Sequence, residues 1–174
     1  MASGAYRMES GALVYHNRLA QAFCGWDCEQ ITGAGKTERG GEEVTEFFMA
    51  MVPPTVTHQE KQVNAVSGKP VFYEPAELKA ARSKLTAHLF AHKPKKKYNT
   101  ALSLQVIWCF PCGKKHRQGE YRKTKPDTDN LQKLLKDCMT STGFWDDDAL
   151  VCKEIVEKFW GDPPGIYIRV EELD

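Results

Sequence analysis

Lys125-Pro-Asp-Thr-Asp-Asn-Leu-Gln-Lys133, followed some ten residues later by Gly143-Phe-Trp-Asp-Asp-Asp148-Ala149, is the stretch from which the fold is read. Pro126 cannot continue a preceding helix, and Asp is a strong N-cap, so Asp127 and Asp129 mark a helix start. Leu131, Leu134, Leu135, Cys138 and Met139 then recur at helical spacing and predict one buried stripe. Gly143 supplies the left-handed conformation that ends a helix. After the acidic turn, Leu150 to Lys158 alternates apolar and polar residues and predicts a strand.

An amphipathic helix must cover something, and the strand that follows is its natural partner. A helix of about fifteen residues is roughly 22 Å long, and a strand of about eight spans roughly 26 Å. Either end of that strand is therefore able to approach the helix start, and a symmetric partner chain is an alternative source of the second set of carboxylates. Crowded carboxylates repel and raise one another's pKa unless a cation neutralises them, a task suited to Mg²⁺ held by a few carboxylates, water and substrate phosphate. Each cluster alone reads as a helix cap or a solvated turn. Together, beside a basic surface, they point to a metal-dependent site.

Charge supports that reading. The 174 residues carry a formal net charge of only +1. Yet Lys79 to Lys125 holds thirteen Lys or Arg against Glu120 alone, whereas Pro126 to Asp174 holds five basic residues against twelve acids. A polyanion-binding surface beside an acidic metal pocket needs such a division.

The string Asp127-Thr-Asp129-Asn-Leu-Gln-Lys133, then Gly143-Phe-Trp145, then Asp147-Asp148-Ala149 and the strand from Val151, resembles the RusA family of Holliday junction resolvases of bacteria and their prophages. That family reads Asp-x-Asp-Asn-Leu-x-Lys followed by Gly-x-Trp-x-Asp-Asp. The segment Pro53 to Lys61 also resembles family members from low-GC Gram-positive bacteria and their phages. The resemblance implies an α/β (α+β) domain, a small mixed β-sheet packed by two main helices. It implies that Asp127, Asp129 and Asp148 are catalytic carboxylates binding Mg²⁺, with Asp147 a weaker carry-over, and that Lys133 is the catalytic lysine. It further implies a homodimer that cuts four-way DNA junctions by paired nicks in recombination and repair; a cytoplasmic location is expected separately, from the lack of a membrane-length apolar run and of a basic segment leading into a hydrophobic core at the N-terminus. A flap or fork nuclease and a non-catalytic DNA-binding module are the competing readings. Asp146 falls where the family does not reserve an acid.

Outward from the motif, residues 1–45 are glycine-rich, with few periodic apolar positions, and are expected to be a flexible N-terminal extension; residues 46–174 form the nuclease domain. Leu13 to Phe23 is a candidate helix. Gly33-Ala-Gly-Lys-Thr37 lacks phosphate-loop spacing because Gln30 stands where glycine is required. Cys24 and Cys28 near His16, and Cys109-x-x-Cys112 with His116, each lack a complete zinc set and are expected to be free thiols.

Glu46 to Val52 is a strand closed by Pro53-Pro54, and Val71 to Tyr73 a short extended piece. Thr55 to Val63, with His58, reads as a loop or irregular strand. Pro75 opens a helix to Phe90 with Leu78, Ala81, Leu85, His88 and Leu89 on one face and Lys79, Arg82 and Lys84 elsewhere. Ala101 to Phe110 alternates well enough for a central or half-buried strand, closed by Pro111. Lys95, Lys96 and Lys97 in a basic linker, with Lys114, Lys115, Arg117, Arg122 and Lys123 in a loop expected to become ordered on binding, are the candidate DNA contacts. Phe144 and Trp145 are expected in the core, and Ile166 to Val170 as the second strand of a hairpin with the strand from Leu150. No apolar run is long enough to span a membrane.

Overall fold

The structure is a computed structural model and describes residues 35–36, 44–56, 62–66 and 69–173. The helix expected at 13–23, the 33–37 glycine stretch as a whole, Cys24, Cys28 and His58 lie outside the described residues. In chain order the elements are β1 (Gly35–Lys36), β2 (Val44–Ala50), β3 (Gln62–Val66), β4 (Lys69–Tyr73), α1 (Ala76–His92), β5 (Leu102–Pro111), α2 (Thr128–Thr142), a 3₁₀ turn (Asp148–Leu150), β6 (Val151–Gly161) and β7 (Gly165–Glu172).

One mixed sheet runs β1-β2-β7-β5-β6, and β3 pairs with β4 as a separate antiparallel hairpin. β5 lies parallel to β6 and antiparallel to β7, so α2 is the crossover that parallel neighbours require. The hairpin expected from β6 and β7 does not form. A turn at 162–164 links them, but β7 crosses β5 to sit between β5 and β2, with Val106 opposite Ile168 and Phe48 opposite Tyr167.

Strand alternation divides the apolar residues into two layers. Phe47 and Met49 of β2, Leu104, Val106, Trp108 and Phe110 of β5, and Ile166, Ile168 and Val170 of β7 share one core with Leu78, Leu85 and Leu89 of α1 and the whole predicted stripe of α2. Both helices therefore cover the same face. The opposite face carries a smaller cluster, Phe48, Ile107, Cys109, Phe159 and Tyr167. β5 is buried over most of its length on both sides, which explains why its sequence is nearly continuous in apolar residues.

The helix signals hold. Pro75 stands at the N-cap of α1, and Gly143 ends α2 in the left-handed conformation with φ 89°, its N–H reaching Met139 and Thr140 carbonyls. Phe144 and Trp145 are fully buried, and the Trp145 indole donates to Thr140 Oγ1 at 2.8 Å.

Candidate active site on α2 and the edge of β6

Asp127 occupies the N-cap of α2, but its side chain accepts no capping hydrogen bond. Its carboxylate stands at the positive end of the helix dipole, within electrostatic reach of the Lys158 ammonium. Asp129 follows in the first turn. Lys133, one turn on, bonds forward: Nζ lies 3.0 Å from Asp137 Oδ1 and 3.7 Å from Asp148 Oδ2. The hydrogen bond and charge of Asp137, with Asp148 adding to them, hold the lysine pKa above its ordinary value.

The second acid cluster stands at the start of β6, and the geometry shows where that lies. Along β6, Glu154 meets Gln132 and Lys136 of α2, while Lys158 reaches the carbonyl of Pro126, just before the helix. Strand and helix run in opposite directions, so Asp148 falls beside the middle of α2. The acids are strung along the helix; eight residues separate Asp129 from Asp137, about 12 Å at 1.5 Å per residue. Among the described residues no three Asp, Glu, His or Cys side chains group closely enough to hold a metal ion. Carboxylate oxygens are the donors Mg²⁺ takes, and Mg²⁺ commonly uses only one or two of them with water and substrate phosphate. Asp127, Asp129 and Asp148 offer donors of that kind, and their chemistry fits an open site completed by water and substrate phosphate.

A cavity of about 490 Å³ opens beside Asp148, lined by Arg82, Asp137, Thr140, Ser141, Asp146, Asp147 and Asp148. Arg82 brings a cation to this acidic wall, where its Nε also binds Glu74 at 2.9 Å. Asp147 caps the 3₁₀ turn, accepting from the Ala149 N–H at 2.8 Å. Asp146 pairs with Lys97 at 2.5 Å, an exposed contact of the sort that contributes little stability.

Lys95, Lys96, Lys114, Lys115, Arg117 and Lys123 are exposed, as is Lys97. The loop that carries Lys114, Lys115, Arg117, Arg122 and Lys123 packs along the edge of β6. Gly119 N–H donates to the Trp160 carbonyl, Trp160 N–H to Glu120, and Arg122 N–H to Lys158, so the loop runs as an extra antiparallel edge along β6. His116 stacks on Trp160 with ring centroids 4.0 Å apart and contacts Glu120 at 3.4 Å. Cys109 and Cys112 are not in a disulfide, and Cys109 is buried against Gly161. Arg122 differs from the other basic residues of the loop: its guanidinium lies 3.8 Å over Phe110 and 4.7 Å over Trp160. Burial there lowers its pKa.

Sequence reasoning did not single out Arg82, Gln132 or Lys158 for the site. Gln132 carried a usable signal, a polar residue between Leu131 and Leu134 on the buried stripe of α2.

The family model described as Endodeoxyribonuclease RusA matches residues 52–171. The crossover junction endodeoxyribonuclease rusA of Lactococcus phage r1t is 30% identical over 130 residues, spanning 74% of this chain and 96% of the phage protein.

Proposed function

The chain belongs to the RusA family of endodeoxyribonucleases, and from that premise we propose that it is a Mg²⁺-dependent, structure-specific nuclease. In this reading it resolves four-way DNA junctions by paired symmetric nicks, in the cytoplasm, during recombination and repair. Residues 46–174 are the nuclease domain and 1–45 an extension to it. The observation that carries the reading is the collinear family motif laid along one helix, from Asp127 at its unbonded N-cap to Lys133 beside Asp148.

Asp127, Asp129 and Asp148 are the catalytic carboxylates, with Asp147 in support. These residues would hold Mg²⁺, which when bound would make a coordinated water more acidic and would offset charge on the phosphoryl oxygens. Lys133, kept charged by Asp137 and Asp148, stabilises negative charge growing on the scissile phosphate or the departing oxygen. Lys95, Lys96, Lys97, Lys114, Lys115, Arg117 and Lys123 draw in the DNA backbone. A C2 homodimer presents two equivalent sites to opposed strands of an open junction, which accounts for paired cuts.

The test is cleavage of a synthetic four-way junction, a fork, a flap and a linear duplex, with Mg²⁺ and with excess chelator. The junction is cut with Mg²⁺ alone. Asp127→Asn and Asp129→Asn each reduce cleavage by about 10² or more while junction binding persists, because the basic surface is intact. Undiminished cleavage in chelator overturns the metal reading, and preference for fork or flap overturns the substrate.

A further inference from the structure

Lys158 presents an unusual arrangement for a strand lysine. Strand alternation places Glu154, Val156, Lys158 and Trp160 on the face that α2 covers, and Lys158 lies at the level where the chain turns into that helix. Its ammonium donates to the Pro126 carbonyl at 2.6 Å and to the Thr124 carbonyl at 3.1 Å. The carbonyl between them, that of Lys125, accepts from Arg122 Nη2. Three consecutive carbonyls immediately before Asp127 are therefore held by two cations anchored on β6 and its edge. Arg122 is itself fixed by Phe110 and Trp160 and by its backbone bond to Lys158.

We propose that Lys158 is a positioning residue for the nuclease reaction, holding the 124–126 turn so that the Asp127 carboxylate is set at the mouth of the site, with Arg122 as its second grip. The proposal rests on the reading that Asp127 is a catalytic carboxylate. Asp127 needs such an anchor because its side chain makes no bond to the helix it begins. A residue at an N-cap is ordinarily oriented by its own capping bond; here the orientation comes from the backbone on its N-terminal side. An ammonium with three donors on a flexible stem satisfies two divergent carbonyls, and the planar fork of Arg122 takes the third. Both cations are engaged with main-chain oxygens, and Arg122 with the rings of Phe110 and Trp160 as well, which separates them from the exposed lysines of the 113–123 loop.

The experiment compares wild type with Lys158→Met, Lys158→Arg, Arg122→Met and Asp127→Asn as full chains. In Lys158→Met, amide hydrogen exchange through the first turn of α2 speeds up by about tenfold while the amides of 134–139 keep their protection. Cleavage at saturating junction and Mg²⁺ falls by about 10²-fold, the loss that a misplaced reacting group of about 1 Å brings. Junction affinity in chelator stays within about threefold of wild type, since no phosphate contact is removed. Lys158→Arg recovers most of both signals. Should Lys158→Met not accumulate as folded protein, Arg122→Met carries the same expectations at smaller amplitude. Unchanged exchange with unchanged cleavage overturns the proposal. So does a loss of chelator-insensitive junction binding, which makes Lys158 a phosphate contact. Wild-type cleavage by Asp127→Asn instead overturns the assignment of Asp127, whatever the lysine variants do.

Discussion

The indole N–H of Trp108 on β5 donates to the side-chain oxygen of Gln132 on α2 at 3.2 Å, and both residues are buried. The amide nitrogen of Gln132 donates in turn to Glu154 of β6 at 2.9 Å. One glutamine thus ties the helix to both parallel strands and fixes its rotation over the sheet, and with it the direction in which Lys133 points. Gln132→Leu leaves the indole N–H buried without an acceptor, a cost of about 1–3 kcal/mol. The expected result is a fall in Tm of roughly 2–12 °C, measured by thermal denaturation.

Lys133→Met separates stability from activity. The lysine and its two acids are partly exposed, so the lost ion pairs cost at most about 1 kcal/mol. Cleavage of a four-way junction is expected to fall by about 10² or more with little change in denaturant midpoint. A large loss of stability with activity spared would reverse the roles.

His92 makes stability fall on the acid side. Its ring stacks on Phe47 at 4.5 Å, its Nδ1 is buried without a partner among the described residues, and burial, with His88 nearby, lowers its pKa below the ordinary 6.5. Above pH 6.5 the residue is neutral both folded and unfolded. As pH drops below 6.5 the unfolded chain takes up the proton first, and stability declines until the lower folded pKa is passed. His92→Phe keeps the stack and removes the titration. Urea midpoints between pH 7.5 and 5 are expected to fall less steeply in this variant than in wild type.

Gly165 opens β7 where it meets Ala50 of β2. A Cβ added there would lie 2.1 Å from Phe48 Cζ and 2.7 Å from the Met49 carbonyl oxygen. The ring belongs to the outer-face cluster and the carbonyl to the sheet, so neither yields cheaply. Gly165→Ala is expected to lose about 1–3 kcal/mol in equilibrium unfolding, with junction binding by the remaining folded protein intact.

Local chemistry made the helices readable. Pro75, Pro126 and Gly143 bound them, and the leucine spacing of α2 names its buried face. The longer strands were legible too, β5 from its apolar run and β6 from its alternating sequence, whereas β3 fell in a stretch without a clear period. Pairing was not. Asp162-Pro-Pro-Gly165 looks like a hairpin turn, but a turn reports only that the chain reverses; which edge the returning strand finds depends on β2 and β5, far away in sequence. The same limit applied to the acids. Asp127 and Asp148 were identifiable as residues, whereas their separation along α2 followed from the opposed directions of helix and strand. The 113–123 loop looked mobile from its glycines and charge, but the open edge of β6 and the faces of Phe110 and Trp160 give it partners that composition does not reveal.

The strand that comes latest in sequence among the described residues, β7, is also an interior one, lodged between β2 and β5. During synthesis, everything up to β6 can leave the ribosome and still lack the piece that joins the two halves of the sheet. Until then β2 and β5 each expose an unpaired edge, open to association with other chains. The two halves of the sheet are therefore joined only when β7 arrives, and deletion of residues 165–172 would remove the seam of the domain.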